Sequence, residues 1–173
     1  MNHLKNIIWG DQTSTQVRTS VTLAALFFLI IGSFWLLGSM QEPIFYHLVG
    51  SQYHPQVNII SFFCIVPLML GYMALLDRFN TRHVFLVVVS MYALFFAASA
   101  LLLLHPTIGL SNTQPHVTRW LGWTIYTVIK TYGSLLVTLF WSFAVSVTSM
   151  EAAAVSFPFI MVCAQVGSLG AST

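Results

Sequence analysis

A chain of 173 residues that is 57% hydrophobic and 6% charged, with a mean hydropathy of +0.83, cannot cover itself with a solvated surface, since soluble domains carry about 25% charged residues. Its net charge of +2 is small and dispersed, which excludes a nucleic-acid-binding face and a polybasic lipid-binding patch. The composition fits an all-α integral membrane protein, so the elements are sought as spans of about 20 apolar residues.

Residues 1–20, "MNHLKNIIWGDQTSTQVRTS", are polar and include Asp11. No small-residue cleavage site clearly follows, and the segment is too short and too poor in arginine for a transit peptide, so a retained first helix is expected. Five spans are predicted in one membrane domain: 21–40, 57–76, 84–104, 120–147 and 152–173. The second contains Pro67, a candidate kink. The fourth is longer than a bilayer needs, and the fifth is still running at Thr173.

The loops differ in charge. Lys5 and Arg18 precede the first span, and Arg78 and Arg82 follow the second, whereas the opposite side has only Arg119. The positive-inside rule therefore predicts a cytoplasmic N-terminus for residues 1–20. Five spans would leave the C-terminus outside with no polar tail, so the chain is expected to be the front part of a larger carrier. A five-span protein is the other reading.

Lys130 lies in the middle of the fourth span. A lysine at that depth costs roughly 2.5–3.5 kcal/mol on insertion scales and should face a bundle interior or a wet cavity. Thr127, Thr131, Ser134, Thr138 and Ser142 recur at helical spacing and predict one polar stripe with Lys130 on its edge. Tyr126 lies one turn before it, and Gly133 would admit a neighbouring helix. Three readings stay open: hydroxyls bonding back to their own helix around a lysine paired for packing, a cationic contact for an anionic substrate, or one half of a switching ion pair.

Glu42 follows the first span and precedes Pro43, so it either caps that span in solvent or turns into a central cavity. Asp77 and Arg78 suit a loop anchor, and Glu151 suits a helix N-terminus. Cys64 and Cys163 read as small core residues. His3, His47, His54, His83, His105 and His116 all lie outside span centres, and His47 and His54 lack the spacing of paired ligands on one helical face. With no phosphate loop, nucleophile elbow or HExxH, neither cofactor nor metal is expected, and an enzyme is disfavoured. Gly167 and Gly170 predict close packing of the fifth helix, and Trp9, Trp35, Trp120, Trp123 and Trp141 partly mark interfaces.

Two pieces, "HVFLVVVSMYALFFAASALLLLHP" and "GSLLVTLFWSFAVSVTSMEAA", resemble the ATP/ADP translocase family of intracellular bacteria and plastids. In that family the fourth helix typically carries Glu-Leu-Trp-Gly-Ser, an apolar run, Phe-Trp-x-Phe-Ala, then Glu-Ala. Gly133 and Ser134, then Phe140, Trp141, Phe143 and Ala144, then Glu151 and Ala152 follow that order here. The chain departs elsewhere: "GSMQEPIF", with Glu42 its only charge, replaces a charged first-helix cluster, and Lys130 stands at a family glutamate.

The resemblance implies a major-facilitator-like bundle of twelve helices in a bacterial inner membrane. Its activity would be exchange of ATP for ADP, or of a related anionic metabolite, by alternating access, with the substrate near the midplane. The expected substrate contacts are Lys130, Tyr126, Thr127, Ser134 and Glu42, with Glu42 facing Lys130 as a charge pair of inverted sign. The alternative is a non-transporting five-span scaffold or receptor, or a decayed transporter fragment.

Overall fold

The computed structural model describes residues 13–172. Lys5, Asp11, His3, Trp9 and Thr173 lie outside the described residues. Five long helices follow one another: α1 Ser14–Leu48, α2 His54–Arg78, α3 Thr81–Leu103, α4 Trp120–Val147 and α5 Met150–Ser172. All five are long and apolar enough to cross a membrane, and there is no strand among the described residues. The chain is an all-helical, multi-pass membrane protein.

α1 starts with a capping box, in which the Gln16 amide donates to the Thr13 hydroxyl and the Gln16 side chain accepts from the Thr13 amide. Its 35 residues rise about 52 Å, against a hydrocarbon core of about 30 Å. It therefore tilts or projects beyond the core. The helix runs on past the predicted span 21–40, with Glu42 and Pro43 inside it. Phe45 and Leu48 are fully buried against Val49, Val57 and Tyr126. That packing sustains the helix past a proline that removes one backbone donor.

The other boundaries follow local chemistry. The Asn80 side chain accepts from the Arg82 amide and starts α3 directly after the short turn that ends α2. Glu151 lies exposed in the first turn of α5, where a carboxylate suits the dipole. Pro67 and Pro158 are accommodated inside α2 and α5.

Packing centres on α4, which touches α1, α2 and α3, while α5 lies mainly along α1. α1 and α4 run antiparallel: Phe27 stacks on Phe140 with centroids 4.4 Å apart, and the Phe34 ring covers Gly133, where a Cβ would come within 2.2 Å of it. Toward the other end, the Gln41 amide donates to the Tyr126 carbonyl at 3.3 Å. α1 and α5 run parallel, with the Ser20 and Ser156 hydroxyls 2.5 Å apart and Gly167 against the backbone of Phe28. Trp141, one candidate interface marker, instead packs inside against Phe27, Phe140 and Phe157.

Lipid tails are as apolar as leucine, so helices in a bilayer associate through close packing and interhelical hydrogen bonds. Such bonds occur along the bundle. Tyr92 donates to Thr131 at 3.2 Å, Tyr72 to Ser142 at 3.2 Å and Ser61 to Thr127 at 3.3 Å, and the Ser33 and Tyr132 hydroxyls lie 2.6 Å apart.

The connection from α3 to α4 is organised by Arg119. Its guanidinium donates to the carbonyls of Gly109 at 2.6 Å, Ile108 at 2.8 Å, Asn112 at 3.0 Å and Gln114 at 3.3 Å. His47 Nε2 meets the Leu110 carbonyl at 2.8 Å, and the His116 amide donates to the Leu48 carbonyl at 3.1 Å, docking this loop on the end of α1. At Gly109 a Cβ would lie 2.0 Å from the Leu103 carbonyl oxygen, so only glycine fits. Replacing Arg119 by glutamine removes charge-assisted bonds and is expected to loosen the loop by about 1.5 kcal/mol. Amide exchange at Gly109 and Leu110 should then speed up about tenfold, while amides in the middle of α4 keep wild-type rates.

Candidate functional site

α4 is the most buried of the five helices, yet one of its faces is open. Lys130, Ser134, Thr138 and Val145 recur along it and are exposed. Their spacing places them on one side of the helix. The predicted polar stripe is divided among neighbours: Thr127 and Ser142 accept bonds from α2 and Thr131 accepts one from α3. Thr138 bonds back to the Ser134 carbonyl at 2.9 Å. Side chains on adjacent faces of one helix reach different partners, so helical spacing alone merged three environments into one.

Lys130 Nζ sits 5.6 Å from the centroid of the Tyr126 ring, within the range in which a cation is attracted by the aromatic face. No ion pair reaches Lys130 among the described residues; the one salt bridge there joins Glu42 to His54. Glu42 therefore meets His54 and not Lys130. An ammonium at this depth without a carboxylate has only the ring to offset part of its insertion cost.

Tyr126 links the two charges. Its side chain is 1% exposed, and its hydroxyl donates to Asn58 Oδ1 at 2.9 Å. The same hydroxyl lies 3.1 Å from His54 Nε2. Glu42 Oε1 is 3.6 Å from that nitrogen, and the Tyr46 hydroxyl donates to the other carboxylate oxygen at 3.4 Å. The Tyr46 ring stands edge-on to the imidazole, with centroids 5.5 Å apart.

Contacts thus run from Glu42 on α1 through His54 on α2 to Tyr126 and Lys130 on α4. Four of the five sequence-derived candidates gather here. Glu42, Tyr126 and Lys130 lie in the chain of contacts, and Thr127 is tied to Ser61 beside it. Ser134 stands apart, one turn further along the open face.

Sequence reasoning missed His54, Asn58 and Tyr46. The available signal was local, since Asn58 follows His54 by one turn and Tyr46 follows Glu42 by one turn. Setting His54 against His47 tested the wrong pair, because His47 turns to the 104–119 loop. Among the described residues no group of three or more histidine, cysteine, aspartate or glutamate side chains could hold a metal ion.

The open face can donate hydrogen bonds and one positive charge to a ligand. The Ser134 hydroxyl lies one turn beyond the lysine on this face, and the Tyr126 ring lies one turn before it. Comparison of the chain with protein-family profiles, curated proteins and solved structures returns no match. What fold and site define together is a multi-pass helical membrane protein whose central helix carries, on its open face, a lysine with no carboxylate partner among the described residues.

Proposed function

We propose that this chain belongs to a secondary transporter of the ATP/ADP translocase type. It moves ATP and ADP, or a related anionic metabolite, across a bacterial inner membrane by alternating access. The observation that carries the reading is Lys130, a mid-helix ammonium on an exposed face with no carboxylate partner among the described residues. Intramembrane ionisable residues of this kind mark substrate and ion pathways.

In this reading Lys130 contacts the anion and Tyr126 supports the lysine. Thr127 and Ser134 offer hydroxyls, and Glu42 bounds the outer end. The resemblance in 82–106 and 133–152 supports the transporter class, a major-facilitator-like architecture and a total of twelve helices. Arg18, Arg78 and Arg82 lie at one end of the bundle and Arg119 at the other, which favours a cytoplasmic N-terminus.

The test is uptake of labelled ATP and ADP by intact bacterial cells producing the protein, with membrane insertion verified. Saturable uptake of one, accelerated by the other preloaded inside, supports the reading. Absence of uptake and of exchange for both nucleotides removes the nucleotide assignment.

A further inference from the structure

α1 and α3 both pack on α4, and a cleft runs between them. Its mouth is a cavity of about 310 Å³ where Thr15, Arg18, Thr19 and Thr22 stand above Leu26 and Phe143. Leu26 also lines the next cavity along, of about 340 Å³, walled by Ile30, Phe85, Val89 and Phe96. Phe143 of the first cavity stacks on Phe85 of the second, with ring centroids 5.0 Å apart. The two therefore make one continuous furrow. Leu29 on its rim is 63% exposed, so the furrow opens sideways to the bilayer.

The chemistry changes along its length. At the mouth, Arg18 is exposed and has no acidic partner among the described residues. Asp77 and Glu151, acids at the same end of the bundle, lie outside the lining. The Thr19 hydroxyl donates to the Thr15 carbonyl at 3.1 Å and the Thr22 hydroxyl to the Arg18 carbonyl at 2.9 Å. With their hydrogens committed, both oxygens keep lone pairs to accept a bond from a ligand. Deeper in, the walls are apolar, and the hydroxyls of Ser33, Tyr132 and Tyr92 are already bonded within the protein.

Length decides what fits. Arg18 and Ser33 lie on one helix, separated by a rise of about 22 Å at 1.5 Å per residue. That is half of a bilayer about 40–45 Å thick with its headgroups, the reach of one phospholipid from phosphate to midplane. A covering helix, about 10–12 Å across, would leave the guanidinium without a counter-charge, whereas a phosphate supplies one. Charge and length together favour a lipid. One arginine above a fitted furrow is not a polybasic patch: it selects by shape and by a single charge.

We propose that the furrow between α1 and α3 is a binding site for one anionic phospholipid with a hydroxylated headgroup. The phosphate accepts from Arg18, a headgroup hydroxyl donates to Thr19 or Thr22, and one acyl chain runs past Leu26 to the Ser33–Tyr132 pair. The bound chain fills the space between α1 and α3 and ties the two helices together. Lys130 lines neither cavity, so the site stands whatever the protein transports.

The test places the full chain in phosphatidylcholine vesicles with a minor fraction of phosphatidylglycerol bearing a photoactivatable diazirine on one acyl chain. Cross-linked peptides are then mapped by mass spectrometry. Label is expected to concentrate on 26–37 and 85–96. A phosphatidylcholine probe with the same chain, whose own cation opposes Arg18 and whose headgroup has no donor, should label these segments about fivefold less. Arg18→Gln, a change at an exposed position, should lower phosphatidylglycerol labelling there by about the same factor, the worth of one arginine at a charged membrane surface. Labelling around Phe62 and Phe63, exposed on α2, should not change.

Equal labelling of the furrow by both probes, or wild-type labelling in Arg18→Gln, overturns the site and leaves only the lipid that surrounds any membrane protein. A furrow that neither probe labels, while Phe62 and Phe63 are labelled, overturns it in favour of a covering protein segment.

Discussion

Lys130→Ala is expected to lower nucleotide uptake by about 10- to 100-fold, the worth of one charge-assisted hydrogen bond to an anion of 1.5–3 kcal/mol. The same variant should insert into the membrane more readily than the natural chain. A lysine at mid-helix costs roughly 2.5–3.5 kcal/mol on insertion scales, and the Tyr126 ring, 5.6 Å from the ammonium, returns only about 0.5–2 kcal/mol of that. Opposite signs in the two assays would be the mark of a residue kept for function at the expense of stability.

Lys130→Arg keeps the charge and should retain more uptake than Lys130→Ala, since either cation can donate to an anion. The paired measurement is uptake alongside translocon-mediated insertion of the isolated α4 segment. Uptake that survives in Lys130→Ala, with improved insertion, would reduce Lys130 to a packing residue and sink its role as a contact.

The second large effect is expected at the crossing of α1 and α5. A Cβ at Gly167 would stand 2.9 Å from the Phe28 carbonyl oxygen and 3.0 Å from its ring, while one at Gly170 meets nothing within 4 Å. Backbone cannot step aside as a side-chain tip can. Gly167→Leu must therefore push the helices apart and break the packing that substitutes for a hydrophobic force in lipid. Overpacking of this kind costs about 3 kcal/mol. The Ser20–Ser156 contact at the other end of the same helix pair should be strained with it.

Gly170→Leu should be near neutral. Thermal unfolding of the two variants in the same detergent checks the contrast, and equal midpoints would contradict the close approach. Both glycines look alike in the sequence, where small residues are scattered through the last helix. Which one faces α1 depends on the rotation of α5, and that is set by partners more than 100 residues away.

The same distinction decides what else could be read without coordinates. The apolar run 120–147 has the same limits as α4 because its ends are marked locally, by a tryptophan-flanked start and a Thr-Ser turn. The run 21–40 stops where hydropathy falls, yet α1 continues to Leu48. Phe45 and Leu48 are buried by residues from α2 and α4 and by the 104–119 loop. Tertiary burial extended a helix that local composition would have ended.

Lys130 could be singled out from its depth alone, and Tyr126 from a spacing of four. The pairing of Glu42 with His54 could not, because it depends on how the turn at Ser51–Tyr53 brings two helix ends together. Electrostatic pairing by sign alone pointed to Lys130. The geometry delivers a histidine that lies closer in the chain.

The central position of α4 has a consequence for biosynthesis. α1 finds its main partners in α4 and α5 and meets α2 chiefly near the turn that joins them. About a hundred residues separate the end of α1 from the end of α4, and at 5–20 residues per second the ribosome needs about 5–20 s to deliver them. Throughout that interval the nascent first helix has, among the described residues, chiefly the start of α2 at its far end as a neighbour. It must be retained by the insertion machinery or by lipid until the helix bearing Lys130 arrives, with the aromatic face of Phe27 and Phe34 waiting for Phe140 and Gly133.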